Sequence, residues 1–157
     1  MANANPTVQG ILKAATVLEN VIERTPLKYN QFLSEECKAN VYLKREDLQV
    51  VRSYKIRGAY TFMAQLSSKQ KKQGVVCSSA GNHAQGFALS CSLLKIKGTV
   101  FMPVTTPKQK VNSVARLGKQ YIDIVLHGDT YDDAKSAALK YVQKENKIFV
   151  PPFDHPL

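Results

Sequence analysis

Two short segments of the chain combine residue types that chemistry needs. The first runs Lys44-Arg45-Glu46-Asp47-Leu48-Gln49-Val50-Val51-Arg52-Ser53-Tyr54-Lys55-Ile56-Arg57-Gly58-Ala59, a charged strand end leading into a helix whose first turns hold a lysine, an arginine and a glycine. A lysine beside the positive end of a helix dipole has its ammonium form disfavoured. Imine formation needs such a neutral amine. Gly58 and Ala59 are small enough to let a second backbone or a flat ligand come close to the helix. By itself the same pattern also describes an ordinary solvated helix start.

The second segment is Cys77-Ser78-Ser79-Ala80-Gly81-Asn82-His83-Ala84-Gln85-Gly86, lying between a strand and a helix. Consecutive backbone N–H groups at a helix N-terminus form an anion site for a carboxylate or phosphate, with Ser79 and Asn82 as extra donors and Gly81 giving close access. The glycines at 81 and 86 do not make the dinucleotide fingerprint G-x-G-x-x-G, and no Gly-Lys-Ser/Thr P-loop occurs. A plain strand-to-helix turn capped by Asn82 and His83 is the alternative reading.

The elements that must position these segments follow from hydrophobic periodicity. Val8, Ile11, Leu12, Ala15, Leu18 and Ile22 recur at helical spacing behind Thr7, a permissible N-cap, and predict an amphipathic helix that Pro26 ends. Val41-Tyr42-Leu43 reads as a short strand after a polar loop, and Ser53 as the start of a helix with Ile56, Ala59, Tyr60 and Met63 on one face. From Gly74 onward apolar runs alternate with helical patterns, as in a parallel α/β sheet. Strands are expected at Val75–Ser78, Thr99–Met102, Tyr121–Leu126 and Ile148–Val150, with helices beginning near His83, Pro107 and Thr130. Pro107 suits a first helical turn, Gly118 a left-handed helix end, and Asp132 and Asp133 the positive end of the last helix. Right-handed crossovers then give an open α/β fold, a parallel sheet of four strands with helices on its faces.

Bulk properties narrow the function. A chain of 157 residues buries one core and is too short for a large two-domain enzyme. Its apolar runs are too short to span a bilayer as a helix, and its start lacks a secretory pattern, which points to a soluble cytoplasmic protein. Cys37, Cys77 and Cys91 are odd in number and lie at no metal-ligand spacing, so neither a disulfide framework nor a metal site is indicated. The net charge of +10 favours anions. The basic residues are scattered, with Lys69, Lys71 and Lys72 on a solvated polar stretch lacking aromatics, so a small anionic ligand is favoured over nucleic acid.

Ser-Tyr-Lys-x-Arg-Gly-Ala at 53–59 followed by Ser-Ala-Gly-Asn-His-Ala-Gln-Gly at 79–86 resembles the fold type II pyridoxal-phosphate enzymes, and most of all the threonine dehydratases, or threonine ammonia-lyases. Thr25-Pro26-Leu27, Phe101-Met102-Pro103, Thr106-Pro107-Lys108 and the run from His127 to Ala134 carry the likeness through nearly the whole chain. The resemblance implies pyridoxal phosphate as cofactor and a small amino acid as substrate. Lys55 would link to the cofactor aldehyde and, once released by substrate, move the α-proton. Tyr54 would lie against the cofactor ring, and Asn82 would donate to its 3′ oxygen. Ser79, Ala80, Gly81, Asn82 and His83 would hold the substrate carboxylate, the His83 ring orienting the loop rather than serving as a base. The reaction would be β-elimination of water from threonine, giving 2-oxobutanoate and ammonia. Racemases that share this loop resemble it with a second serine where Ala80 stands, which disfavours racemisation, and the cysteine-synthesising members do not match His83 and Gln85.

Family members continue with a glycine cluster that cradles the cofactor phosphate, whereas the eight glycines here include no adjacent pair. The expected organisation is therefore an N-terminal part: residues 1–73 as first elements of a large domain, 74–150 as the small α/β domain, and 151–157 as a crossover back towards the large one. On its own such a chain would bind cofactor weakly and expose apolar surface around its first helices and the Val41 strand, whereas the complete enzyme would be a homo-oligomer. The alternatives are a dehydratase of broader serine/threonine specificity and a noncatalytic α/β module that binds an anion at the Ser79–His83 loop.

Overall fold

The opening apolar repeat forms a helix, shorter than the repeat suggests. In the computed structural model, which describes residues 6–153 and residue 155, α1 covers Val8–Val17 and Thr7 Oγ1 accepts from the Gly10 N–H. Leu18 is buried, while Val8, Ile11 and Leu12 stay exposed, so no packing sustains another turn. The chain bends at Asn20, with a φ of 62°, and Ile22 lies outside the helix.

The polar loop that follows holds structure that its composition hid. Strand β1, Leu27–Tyr29, pairs antiparallel with β2, Tyr42–Lys44, across helix α2, Gln31–Cys37. The Asn30 side chain caps α2 by accepting from the Leu33 N–H at 2.9 Å, and Lys38 ends it in the left-handed region. Strand β2 is thus one residue later than expected from Val41. A 3₁₀ turn at Glu46–Leu48 and a left-handed Arg52, φ 57°, lead into α3, Lys55–Ala64. Ser53 does not cap this helix, because its hydroxyl is buried without a partner and Tyr54 takes the N-cap position. Ile56, Ala59 and Met63 are buried as expected, with Tyr60 only partly so. The lysine-rich stretch forms a further short helix, α4, Ser68–Gln73, which a reciprocal capping box between Ser67 and Gln70 initiates.

The rest alternates strand and helix: β3 Val75–Ser78, α5 Asn82–Leu94, β4 Gly98–Met102, α6 Lys108–Gly118, β5 Ile122–Leu126, α7 Tyr131–Lys144 and β6 Ile148–Phe149. All four strands run parallel in the order β5-β4-β3-β6. Several boundaries differ from expectation: β4 begins one residue earlier, at Gly98, β6 ends one earlier, at Phe149, and Pro107 takes the N-cap of α6 rather than its first turn. Tyr121 lies in a 3₁₀ turn, Lys119–Tyr121, so β5 begins one residue later. Gly118 is right-handed and Lys119 carries the positive φ of 52°. A Cβ at Gly118 would stand 2.1 Å from Ile122 Cγ1, so lack of space rather than backbone conformation requires glycine there.

Both faces of the sheet are covered, so β3 and β4 read as continuous buried runs. Alternation along β3 sends Val75 and Cys77 into a core with Phe87, Cys91, Val100, Met102 and Val114, and Val76 to the opposite side with Phe101, Ala134 and Ala138 of α7. Among the described residues no helix is long and apolar enough to cross a membrane.

Candidate functional site

Strands β4 and β5 lie on one side of β3, and β6 lies on the other, with α5 and α7 packed on opposite faces. The carboxyl ends of β3 and β6 therefore flank a topological switch point, the place where open α/β sheets bind ligands. Residues 79–81 leave β3 there, and Val150-Pro151-Pro152-Phe153 leaves β6.

The loop after β3 is ordered by its own polar groups. The Ser79 N–H donates to the Phe101 carbonyl at 3.1 Å, and the Gly81 N–H donates to Ser79 Oγ at 3.1 Å. Gly81 holds the N-cap position of α5 with no side-chain bond, so neither Asn82 nor His83 caps the helix. The N–H groups of Asn82, His83 and Ala84 are left at the helix N-terminus, where the dipole favours an anion. The Asn82 side chain is exposed, whereas His83 is only 5% exposed and its Nε2 donates to the Val150 carbonyl at 3.2 Å. Burial pushes the His83 pKa down to about 4, against the pull of the Val150 carbonyl and with help from the nearby Lys55 charge. The ring is neutral at physiological pH.

Lys55 is the first residue of α3, and its Nζ donates to the Pro152 carbonyl at 2.7 Å. The same atom lies 5.3 Å from the centroid of the Tyr54 ring and 5.5 Å from that of Phe153. A cavity of about 500 Å³ opens here, with Tyr54, Lys55, Gly58, His83, Pro152 and Phe153 in its wall. That size is ordinary for a small-molecule site. The structure brings Tyr54, Lys55 and His83 to one cavity. Ser79, Ala80, Gly81 and Asn82 do not line it and stand beside it at the head of α5.

Gly86 joins the two segments. A Cβ at this position would stand 3.0 Å from the Lys55 carbonyl carbon and from the Ile56 nitrogen, so α5 lies directly against the start of α3. In the sequence Gly86 is only one letter of the loop pattern, although a glycine inside an otherwise apolar helix signals close packing. The Pro152 carbonyl was also missed, since a backbone acceptor leaves no trace in residue type. Thr61 adds a further polar group: it lines the same cavity, and its Oγ1 is buried without a partner.

A lysine at a helix start, in the wall of a crevice at the switch point of a parallel sheet, defines an α/β enzyme domain that takes a small ligand. Residues 18–157 match the pyridoxal-phosphate dependent enzymes, and the chain belongs to that family. It is 56% identical over 149 residues to a biosynthetic L-threonine dehydratase of Bacillus subtilis, covering 95% of this chain and 35% of that protein. The corresponding protein of Mycobacterium tuberculosis is 51% identical over 142 residues, covering 90% and 33%. The solved structure of the processed form of threonine deaminase isoform 2 from Solanum lycopersicum superposes with a TM-score of 0.83 at 37% identity, over 99% of this chain and 46% of that one. The chain thus spans about a third of the length of the curated relatives it matches.

Pyridoxal phosphate is the cofactor of this family, and the residues present fit the ring end of such a group. An amine stands in the cavity wall, the Tyr54 ring flanks it, and the partnerless Thr61 hydroxyl offers a polar contact.

Proposed function

We propose that the chain supplies the cofactor lysine and the substrate-carboxylate loop of a threonine ammonia-lyase, which removes water from L-threonine to give 2-oxobutanoate and ammonia. The observation that carries this reading is the Lys55 amine in the wall of the switch-point cavity. The identity to threonine dehydratases supports the choice of substrate. When bound, pyridoxal phosphate supplies an electron sink that acidifies the substrate α-proton.

The chain's own residues do the rest. Lys55 Nζ, on leaving the Pro152 carbonyl, would hold the cofactor and would move the substrate α-proton. Tyr54 packs its ring beside that amine. The Asn82 side chain, exposed at the head of α5, would offer a donor to the cofactor ring. Ser79, Ala80, Gly81, Asn82 and His83 receive the substrate carboxylate, drawing on the free N–H groups of the first turn of α5. His83, neutral and bonded to Val150, fixes the loop rather than acting as a base. Ala80 offers no proton-carrying group to a second face of the substrate, which supports elimination over racemisation.

The free cysteines Cys37, Cys77 and Cys91 favour a cytoplasmic home. The exposed Val8, Ile11, Leu12 and Tyr42 favour cover by further protein, as in a longer, homo-oligomeric enzyme. The catalytic reading predicts an absorbance band near the visible edge on adding pyridoxal phosphate, absent from Lys55→Ala, and threonine-dependent release of a 2-oxo acid. An equal band in Lys55→Ala refutes the role of Lys55, and turnover of serine at the same rate replaces threonine specificity with the broader one.

A further inference from the structure

The first turn of α3 lacks the usual anchor. Tyr54 stands at the N-cap position with no side-chain bond, and the buried Ser53 hydroxyl has no partner. The anchor comes from outside the helix. Arg57, two residues beyond Lys55, donates from Nε to Glu46 Oε2 and from Nη2 to Oε1, both at 2.7 Å. Such a fork fixes direction as well as distance. Arg57 also lines the cavity that holds Lys55.

Glu46 is itself held in place. Thr25 Oγ1 donates to Glu46 Oε1 at 2.5 Å, and Gln49 Nε2 reaches Oε2 at 3.5 Å. Gln49, 2% exposed, exchanges two bonds with the backbone of Glu23, at 3.1 and 2.8 Å. Lys44 Nζ donates to the Thr25 carbonyl. The Arg57 fork, outweighing partial burial and joined by the Thr25 hydroxyl, holds the Glu46 pKa at about 2, so its charge persists at physiological pH. Three segments distant in sequence, around Thr25, Glu46 and Arg57, are therefore one hydrogen-bonded unit beside the lysine.

We propose that Glu46 is a positioning residue: by forking Arg57 it fixes the seat of the first turn of α3, and with it the direction in which Lys55 presents its amine. The proposal rests on Lys55 being the cofactor lysine. The fork also turns the Arg57 charge towards Glu46, so that a second cation does not compete with the Lys55 amine in the cavity.

The test uses the cofactor-loaded protein with Glu46→Gln, Arg57→Lys and the paired Glu46→Ala/Arg57→Ala change. Because displacing a reacting group by about 1 Å can cost about 100-fold, Glu46→Gln is expected to lower kcat by about 10- to 100-fold, with KM for threonine within about 3-fold of wild type. The Lys55-dependent absorbance band shifts in the same variant. Arg57→Lys keeps the charge but cannot fork, and reproduces the loss even if Glu46→Gln fails to fold. The double change costs no more than the worse single change, as for two groups acting together. A lowered melting temperature with wild-type kcat and an unshifted band overturns the proposal while leaving Lys55 in its role. A wild-type band that survives Lys55→Ala overturns the assignment of Lys55 and the proposal with it.

Discussion

The packing of Gly86 against α3 makes a prediction whose sign depends on two competing magnitudes. In Gly86→Ala the new Cβ stands 3.0 Å from Lys55 C and Ile56 N and 3.1 Å from Lys55 O, where ordinary contact begins at 3.4 Å. Alanine gains about 1 kcal/mol over glycine as a helix former, whereas overpacking costs about 1–3 kcal/mol. The atoms in the way are main chain, in a turn whose Ile56 is 1% exposed, so they cannot swing aside. The clash wins, and a net loss of about 1 kcal/mol is expected, or about 2–4 °C in melting temperature for a chain of this size. Gly58 in α3 is the control, because its added Cβ meets nothing within 4 Å. Gly58→Ala should gain about 1 kcal/mol. It also adds a methyl to the cavity wall, so its higher melting temperature should come with weaker cofactor uptake. Thermal and urea unfolding followed by circular dichroism, with the cofactor absorbance band as second readout, measure both variants. Gly86→Ala matching or exceeding wild type in stability, with its band intact, refutes the close approach of α5 to Lys55.

Other perturbations give separate readings. The lowered His83 pKa means that the unfolded chain binds a proton between pH 6.5 and about 4 which the folded chain refuses. Stability should therefore fall as pH drops through that window and level off below it, by a few kcal/mol at most; His83→Gln should flatten this slope, and an unchanged slope sinks the assignment. Glu46 acts lower, its depressed pKa giving stability that is present above pH 4.5 and lost as pH falls towards 2, so Glu46→Gln should lower stability above that window, flatten the slope within it and leave the slope above unchanged. Burial pushes the Cys77 and Cys91 thiols up, while Cys37 is exposed. A thiol reagent should thus label one cysteine in the native protein and three after denaturation, and rapid native labelling of all three contradicts the core.

Legibility in the sequence followed the kind of force that shapes each part. The parallel sheet was readable because both faces of β3 and β4 are buried, so Val75–Ser78 and Thr99–Met102 stand out as apolar runs between helical repeats. Helix α7 was readable from Thr130 and its acidic first turn, which form the capping box. Strand β1 and helix α2 were not, because Leu27, Tyr29 and Phe32 lie exposed among polar residues, and β1 pairs only through a partner strand beyond α2. The helix end at Val17 was hidden because the apolar repeat runs on into residues that only packing could have kept helical. In the site, Lys55 and the loop were visible as residue types. Their meeting was not: it depends on a missing Cβ at Gly86, on the main-chain oxygens of Val150 and Pro152, and on a fork between residues 46 and 57. Such contacts leave little mark on local pattern.

The partners of the two cavity residues are far away along the chain, 97 residues between Lys55 and Pro152 and 67 between His83 and Val150. Local elements can form as soon as they leave the ribosome, but these contacts cannot. Until β6 is made, β3 keeps one edge unpaired, and the loop that it launches has nothing to bind the His83 ring. Synthesis from the N-terminus thus delivers Lys55 early and its enclosure late, and loop closures of this span are slow relative to helix formation. The amine emerges before the crevice that orients it, so the last strand of the sheet sets the time at which the site comes into being.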